Sequence, residues 1–213
     1  MDVGGRSYAE YYDEMAKASA WHGPAVIFGL LYPYIQAGES ILDIGVGTGL
    51  GSILFARAGL RVFGMDSSSE MLDGAYSKGF AHGLCRHDMT SAPYPYACGS
   101  FDHAICVGVL QFFTGLDRTF GEVGRVLRDG GVFGFTVVDR RDGEGASFRA
   151  GGAHTEQERD LTMFRHTESA VHASLDVGGL RVCADLEFVA YMDAARTAPM
   201  SMRAYVARRE PRI

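Results

Sequence analysis

The chain predicts an α/β fold built on a mostly parallel sheet, and three observations lead there. Short apolar runs alternate with stretches of helical apolar spacing, which is the rhythm of βαβ units. Glycine is abundant, 28 of 213 residues, and falls mostly between those runs, where it punctuates turns. The runs themselves are nearly continuous in apolar residues, as expected of parallel strands covered by helices on both faces.

In chain order, a polar, Tyr-rich start precedes a leading helix over Pro24–Gln36, where Val26, Ile27, Leu30, Leu31 and Tyr34 recur at helical spacing and Pro24 suits a first turn. Strands follow at Ser40–Ile44 and Arg61–Met65, with helices at Gly51–Ala58 and Ser69–Gly79. A short strand is expected near Leu84–His87, a buried one at His103–Val107, a helix at Leu116–Arg128 and a strand at Gly131–Val138. Residues Arg140–Asp160 carry four glycines among charged residues with no apolar period, which reads as a long surface loop. A helix over Thr167–Val177 meets the C-cap pair Gly178 and Gly179. The strands Arg181–Ala190 and Met200–Arg208 then suggest an antiparallel hairpin at one sheet edge.

At about 150 residues per domain, this length predicts a single domain over 1–213, with an N-terminal region carrying the leading helix at 1–38 and a variable loop at 140–166. A formal net charge of −6 lacks the basic footprint of a nucleic-acid or anionic-membrane binder. Cys85, Cys98, Cys106 and Cys183 form no C-x-x-C pair, and Cys106 falls inside a buried strand, so reduced thiols are expected. The first ten residues lack the n- and h-regions of a leader, and the longest apolar stretch, near Ala104–Phe113, is far short of the ~20 residues that span a bilayer. A cytoplasmic protein is the expectation.

The chemistry concentrates at Ile41-Leu42-Asp43-Ile44-Gly45-Val46-Gly47-Thr48-Gly49, a buried strand running into a glycine-rich turn at the start of a helix. Such a turn lets a ligand approach the backbone and offers it unpaired N–H donors. The dinucleotide register G-x-G-x-x-G fails, because the sixth position from Gly45 is Leu50 and from Gly47 is Ser52. Asp43 suits a cationic head group better than a pyrophosphate, which its charge would repel. Asp66 ends the next strand, where an acidic residue can accept hydrogen bonds from both ribose hydroxyls. Asp88 follows the third strand, where a carboxylate can take an adenine amino group. Singly, each is also what a turn or N-cap supplies; together, after successive strands, they point to a nucleoside.

These residues, with Phe101–Leu110 and Leu127–Phe133, resemble the Rossmann-like (class I) S-adenosylmethionine-dependent methyltransferases over about residues 8–208. The resemblance implies a three-layer sandwich whose seven-stranded, mostly parallel sheet runs 3-2-1-4-5-7-6 with strand 7 antiparallel. It places Gly45, Gly47 and Gly49 against the methionine part of S-adenosylmethionine, Asp66 with Ser67 at the ribose, Asp88 with Met89 at the adenine, and Val107 and Gly108 beside the cofactor and reaction pocket. The opening Tyr11-Tyr12-Asp13-Glu14-Met15-Ala16 is similar to that of the ubiquinone and Williams-Beuren-region group of small-molecule enzymes. There Tyr11, Tyr12 and Trp21 would form a lid; alternatively they pack under the leading helix. Asp129 stands where the family commonly has proline, which leaves the cofactor site unaffected.

Several motifs are missing. Gly108-Val109-Leu110-Gln111 replaces the Asn/Asp-Pro-Pro-aromatic motif of amino-methylating enzymes, no Cys-Pro supplies a cytosine-C5 nucleophile, and no Asp-Asp-Asn metal set is present. The seven histidines show no ligand spacing, so no metal is expected. His154 and His166 flank the variable region and read as solvated loop residues, while Phe148, Met163, Phe164 and Arg165 are candidates to line the acceptor pocket. The expected activity is in-line methyl transfer to a small-molecule acceptor, leaving S-adenosylhomocysteine, with no general base identified. The alternatives are a cofactor-binding protein without turnover and, weaker, an NAD(P)-dependent oxidoreductase.

Overall fold

The computed structural model describes residues 7–149, 161–192 and 199–211. Its elements are α1 (Tyr8–Ala18), α2 (Gly23–Leu31), β1 (Ser40–Ile44), α3 (Ile53–Arg57), β2 (Arg61–Asp66), α4 (Ser69–Ser77), β3 (Gly83–Arg86), β4 (Phe101–Cys106), α5 (Asp117–Val126), β5 (Leu127–Val137), β6 (Ser147–Arg149), β7 (Thr162–Phe164), α6 (Glu168–Gly178), β8 (Leu180–Met192) and β9 (Pro199–Arg209). Seven strands form one sheet in the order β3-β2-β1-β4-β5-β9-β8. β1 to β5 pair in parallel, whereas β9 runs antiparallel to both β5 and β8. The order 3-2-1-4-5-7-6 and the edge hairpin are therefore both present.

Alternation along the central strands divides the core between two faces. Leu42, Ile44, Ala104, Cys106, Phe133, Phe135 and Tyr205 join Phe120 and Val123 of α5 and Val171 and Leu175 of α6. Ile41, Ile105, Val132, Ala204 and Val206, the residues between them, meet Ile27 and Leu31 of α2 and Phe55 of α3. Helices on both faces bury every side chain of β1, so the strand has no polar-out positions to show in its sequence. Among the described residues, no helix is long and apolar enough to cross a membrane.

Four expectations are corrected. The leading helix stops at Leu31 and continues as a 3-10 turn over Tyr32–Tyr34, because Pro33 lacks the N–H that another α-turn needs. A further helix, α1, precedes it, begun by a capping box in which Ser7 Oγ accepts the Glu10 N–H and Glu10 accepts the Ser7 N–H. The surface loop contains β6, which pairs antiparallel with β7, Phe148 opposite Met163. Just beyond, His166 is buried at 5% exposure, its N–H donating to Val138 O at 2.9 Å and its Nε2 lying 3.2 Å from Leu110 O. It is not a solvated loop residue. His154 lies outside the described residues.

Candidate functional site

The carboxyl ends of β1, β2 and β4 open into a cavity of about 430 Å³. The turn after β1 forms its floor, held to β2 by the Gly45 and Val46 N–H groups, which both donate to Met65 O at 2.8 and 3.0 Å. The Asp66 carboxylate braces the same turn: Oδ2 accepts the Gly47 N–H and Oδ1 the Ser68 N–H, each at 2.9 Å. Asp43 sits beneath, 2% exposed, with its Oδ2 accepting the Ser52 hydroxyl. Burial pushes its carboxyl up to about 7, the Ser52 hydrogen bond opposes that rise, and the neighbouring Asp66 adds to it.

Asp88 stands at the rim. Its Oδ1 accepts both the Thr90 N–H and the Thr90 hydroxyl at 2.8 Å, and these donors hold the carboxyl below the usual carboxylate range. The turn role and a place on the cavity wall thus coexist at this residue. Ser67, Met89, Val107 and Gly108 also line the cavity, and the Gly108 N–H is fixed by Thr136 Oγ1 at 2.8 Å.

Not every residue singled out in the sequence reaches the cavity. Gly45 and Gly47 line it, but Gly49 does not: at φ +89 it packs against Phe80, and a Cβ there would meet Phe80 Cζ at 2.1 Å. Its absent side chain serves the packing of the turn. On α1 the wall is made by Tyr8, Tyr12, Met15 and Ala16, spaced i, i+4, i+7 and i+8 along one helical face, while Tyr11 falls outside that stripe. Trp21 lines the cavity against Gly108 and meets Tyr191 edge-on with ring centroids 6.2 Å apart. Of the variable-region candidates, Met163 lines the cavity and Phe148, Phe164 and Arg165 do not; the Arg165 guanidinium instead lies over the Phe148 ring at 4.0 Å.

Sequence reasoning passed over the device that ties α1 down. Asp13 accepts the Thr48 hydroxyl at 2.5 Å and pairs with Lys78 Nζ at 2.5 Å, and Lys78 Nζ also donates to Thr48 O at 2.8 Å. The Tyr8 N–H donates to Glu70 Oε1 at 2.9 Å. One helix face is thereby fastened across the mouth of the glycine turn.

Among the described lining residues, the carboxyl side chains are Asp43, Asp66 and Asp88, and none is lysine or arginine. Such a cavity accepts a cationic or neutral ligand and repels a pyrophosphate. The rest of the described lining is largely apolar and rich in methionine and aromatic side chains.

Comparison with known proteins returns the resemblance read from the sequence. Residues 42–135 match the family model described as a methyltransferase domain. The chain is 35% identical over 101 residues to a malonyl-[acyl-carrier protein] O-methyltransferase of Serratia marcescens, a match covering 47% of this chain and 39% of that protein. It is 32% identical over 97 residues to a demethylmenaquinone methyltransferase of Tropheryma whipplei, covering 46% of this chain and 41% of that one. The matches thus span about two fifths of each relative's length. In fold it is similar to an S-adenosylmethionine-dependent methyltransferase from Methanosarcina mazei, with a TM-score of 0.71 at 20% identity over 86% of this chain and 98% of that one.

Proposed function

We propose that this chain, which carries the methyltransferase-domain signature over residues 42–135 on a Rossmann-like methyltransferase fold, binds S-adenosylmethionine and transfers its methyl group to a small-molecule acceptor. The observation that supports this most directly is the convergence of the glycine turn and three aspartates on a cavity with no lysine or arginine among its described lining residues. When bound, the cofactor supplies an electrophilic methyl carbon that leaves its sulfur by in-line displacement.

In this reading the backbone at Gly45 and Gly47 lies against the methionine portion, and Gly49 acts at one remove by packing the turn. Asp43 offers negative charge to the cationic portion. Asp66 retains lone pairs for the ribose hydroxyls while bracing the turn, and Ser67 lies beside it. Asp88 and Met89 take the adenine, and Val107 and Gly108 bound the reacting end. Tyr12, Met15 and Trp21 cover the ligand and exclude water, and Tyr11 supports α1 from outside the cavity. The protein's main task is to orient the acceptor and keep the site dry.

The test is calorimetry with S-adenosylmethionine, S-adenosylhomocysteine and NAD, followed by transfer of labelled methyl into a metabolite extract. Binding of the first two but not NAD, with a labelled product, is expected. Preference for NAD would overturn the cofactor assignment. Cofactor binding with no labelled product across a broad extract would identify a binding protein without turnover.

A further inference from the structure

Gln111 is a polar side chain that neither the glycine turn nor the three aspartates account for. It lies on the 3-10 turn Leu110–Phe112 that follows β4, lines the cavity and is 8% exposed. Its amide is fixed in one sense, because Nε2 donates to Gly108 O at 2.8 Å. The turn is pinned in its own right, with the Phe112 N–H on Val109 O at 3.0 Å and His166 Nε2 close to Leu110 O. The other end of the amide, Oε1, is buried with no hydrogen-bond partner among the described residues. A buried carbonyl oxygen without a donor is destabilising, and a ligand's donor relieves that cost.

The wall around it selects by charge. Met15, Met163, Met200, Met202, Trp21 and Phe113 line the cavity, and thioether side chains fit apolar shapes adaptably. Bringing a carboxylate or phosphate into this space would strip its hydration with no lysine or arginine among the described lining residues to replace it, and the aspartates would repel it.

Resting on the cofactor reading above, we propose that the methyl acceptor is an uncharged, largely apolar molecule that presents one hydrogen-bond donor to Gln111 Oε1. A carboxamide takes no proton at neutral pH, so Gln111 orients the acceptor and sets specificity and is not a base. Anionic acceptors are refused, and apolar molecules without a donor bind but are not held in one orientation.

The experiment uses three naphthalene probes of one skeleton, titrated into the full chain with and without saturating S-adenosylhomocysteine: 2-naphthol, neutral with a donor; 2-methoxynaphthalene, neutral without one; and 2-naphthoate, an anion. On the unaltered protein 2-naphthol is expected to bind at least tenfold tighter than 2-naphthoate, a comparison that needs no variant to fold. Gln111→Met, close in volume, is expected to weaken 2-naphthol about tenfold while leaving 2-methoxynaphthalene and S-adenosylhomocysteine unchanged. Equal losses for 2-naphthol and 2-methoxynaphthalene would reduce Gln111 to a structural role and overturn the proposal. So would 2-naphthoate binding as well as 2-naphthol, or a selective loss of S-adenosylhomocysteine. Probe discrimination that persists while S-adenosylhomocysteine fails to bind would refute the cofactor reading and the name methyl acceptor, while the preference of Gln111 for an uncharged ligand with a donor would stand.

Discussion

The Asp66 carboxylate at the tip of β2 and the Gly47 N–H in the turn after β1 are joined by a 2.9 Å hydrogen bond, so the group proposed to grip the ribose also shapes the loop beside it. Replacing Asp66 by Ala is therefore expected to have two separable effects. Cofactor affinity falls by about 1–3 kcal/mol as the ribose hydroxyls lose their acceptor, and fold stability falls by about as much because the Gly47 and Ser68 N–H groups lose theirs. Asp66→Asn, which keeps one oxygen, should fall between. Calorimetry with S-adenosylhomocysteine and thermal melts of the free proteins check the pair, and unchanged affinity counts against the assignment.

The glycines of the turn should respond differently to alanine. At Gly49, φ +89 and the Phe80 ring 2.1 Å from the added Cβ predict a loss of about 2–5 kcal/mol in stability, with near-normal affinity in whatever fraction folds. At Gly47 the nearest atom is Met71 Cε at 3.4 Å, so stability falls by only about 1–2 kcal/mol while the new methyl obstructs the cavity and affinity drops tenfold or more. Denaturant melts beside ligand titrations separate the two, and the reverse pattern would move the ligand to the other side of the turn.

Asp43 makes stability depend on pH in an unusual direction for a carboxyl. Its folded-state value, raised to about 7 by burial, exceeds the ordinary value of 3.8, so between those values the folded chain holds a proton that the unfolded chain has released. Its contribution is fully present below about pH 4 and is lost as pH rises through 7, with a slope approaching about 1.4 kcal/mol per unit. Asp43→Asn should flatten that slope in urea titrations from pH 5 to 8. Because a cationic ligand favours the ionised form, S-adenosylmethionine should gain on S-adenosylhomocysteine in affinity as pH rises through 7, and the variant should abolish that gain.

The Asp13, Thr48 and Lys78 cluster predicts that Asp13 is a main tether of α1, beside the Tyr8 to Glu70 hydrogen bond. Both partners of the ion pair are about a quarter exposed, so Asp13→Ala should cost only about 1 kcal/mol of stability. Its larger effect should be faster amide exchange across residues 8–18 and a several-fold faster release of S-adenosylhomocysteine. Hydrogen-exchange mass spectrometry and stopped-flow release measure these, and unchanged exchange would show that α1 is held by its apolar face.

The succession of elements from β1 to β5 and the terminal hairpin was legible because each strand is a compact apolar run bounded by glycine or charge. α1 was passed over because its Tyr-rich, acidic sequence shows no clean apolar period, although Ser7-Tyr8-Ala9-Glu10 carries the capping-box spacing that marks its start. β6 and β7 are three residues each, too short for alternation to register, and their pairing spans a glycine-rich stretch. Within the site, strand tips located Asp43, Asp66 and Asp88 on the cavity, since a carboxylate at the end of a parallel strand has one place to go. Spacing did not distinguish Gly49 from Gly47, or Tyr11 from Tyr8. Those distinctions depend on Phe80 and on the rotation of α1 about its axis, which long-range packing sets.

Trp21 is the only tryptophan in the chain, and it stands in the cavity wall between Gly108 and Tyr191. Excited at the red edge, where the tyrosines do not absorb, the protein therefore emits from the one position where the proposed nucleoside would alter polarity and quenching. Occupancy can be followed by its fluorescence without label or coupled assay, at the native residue and under turnover conditions.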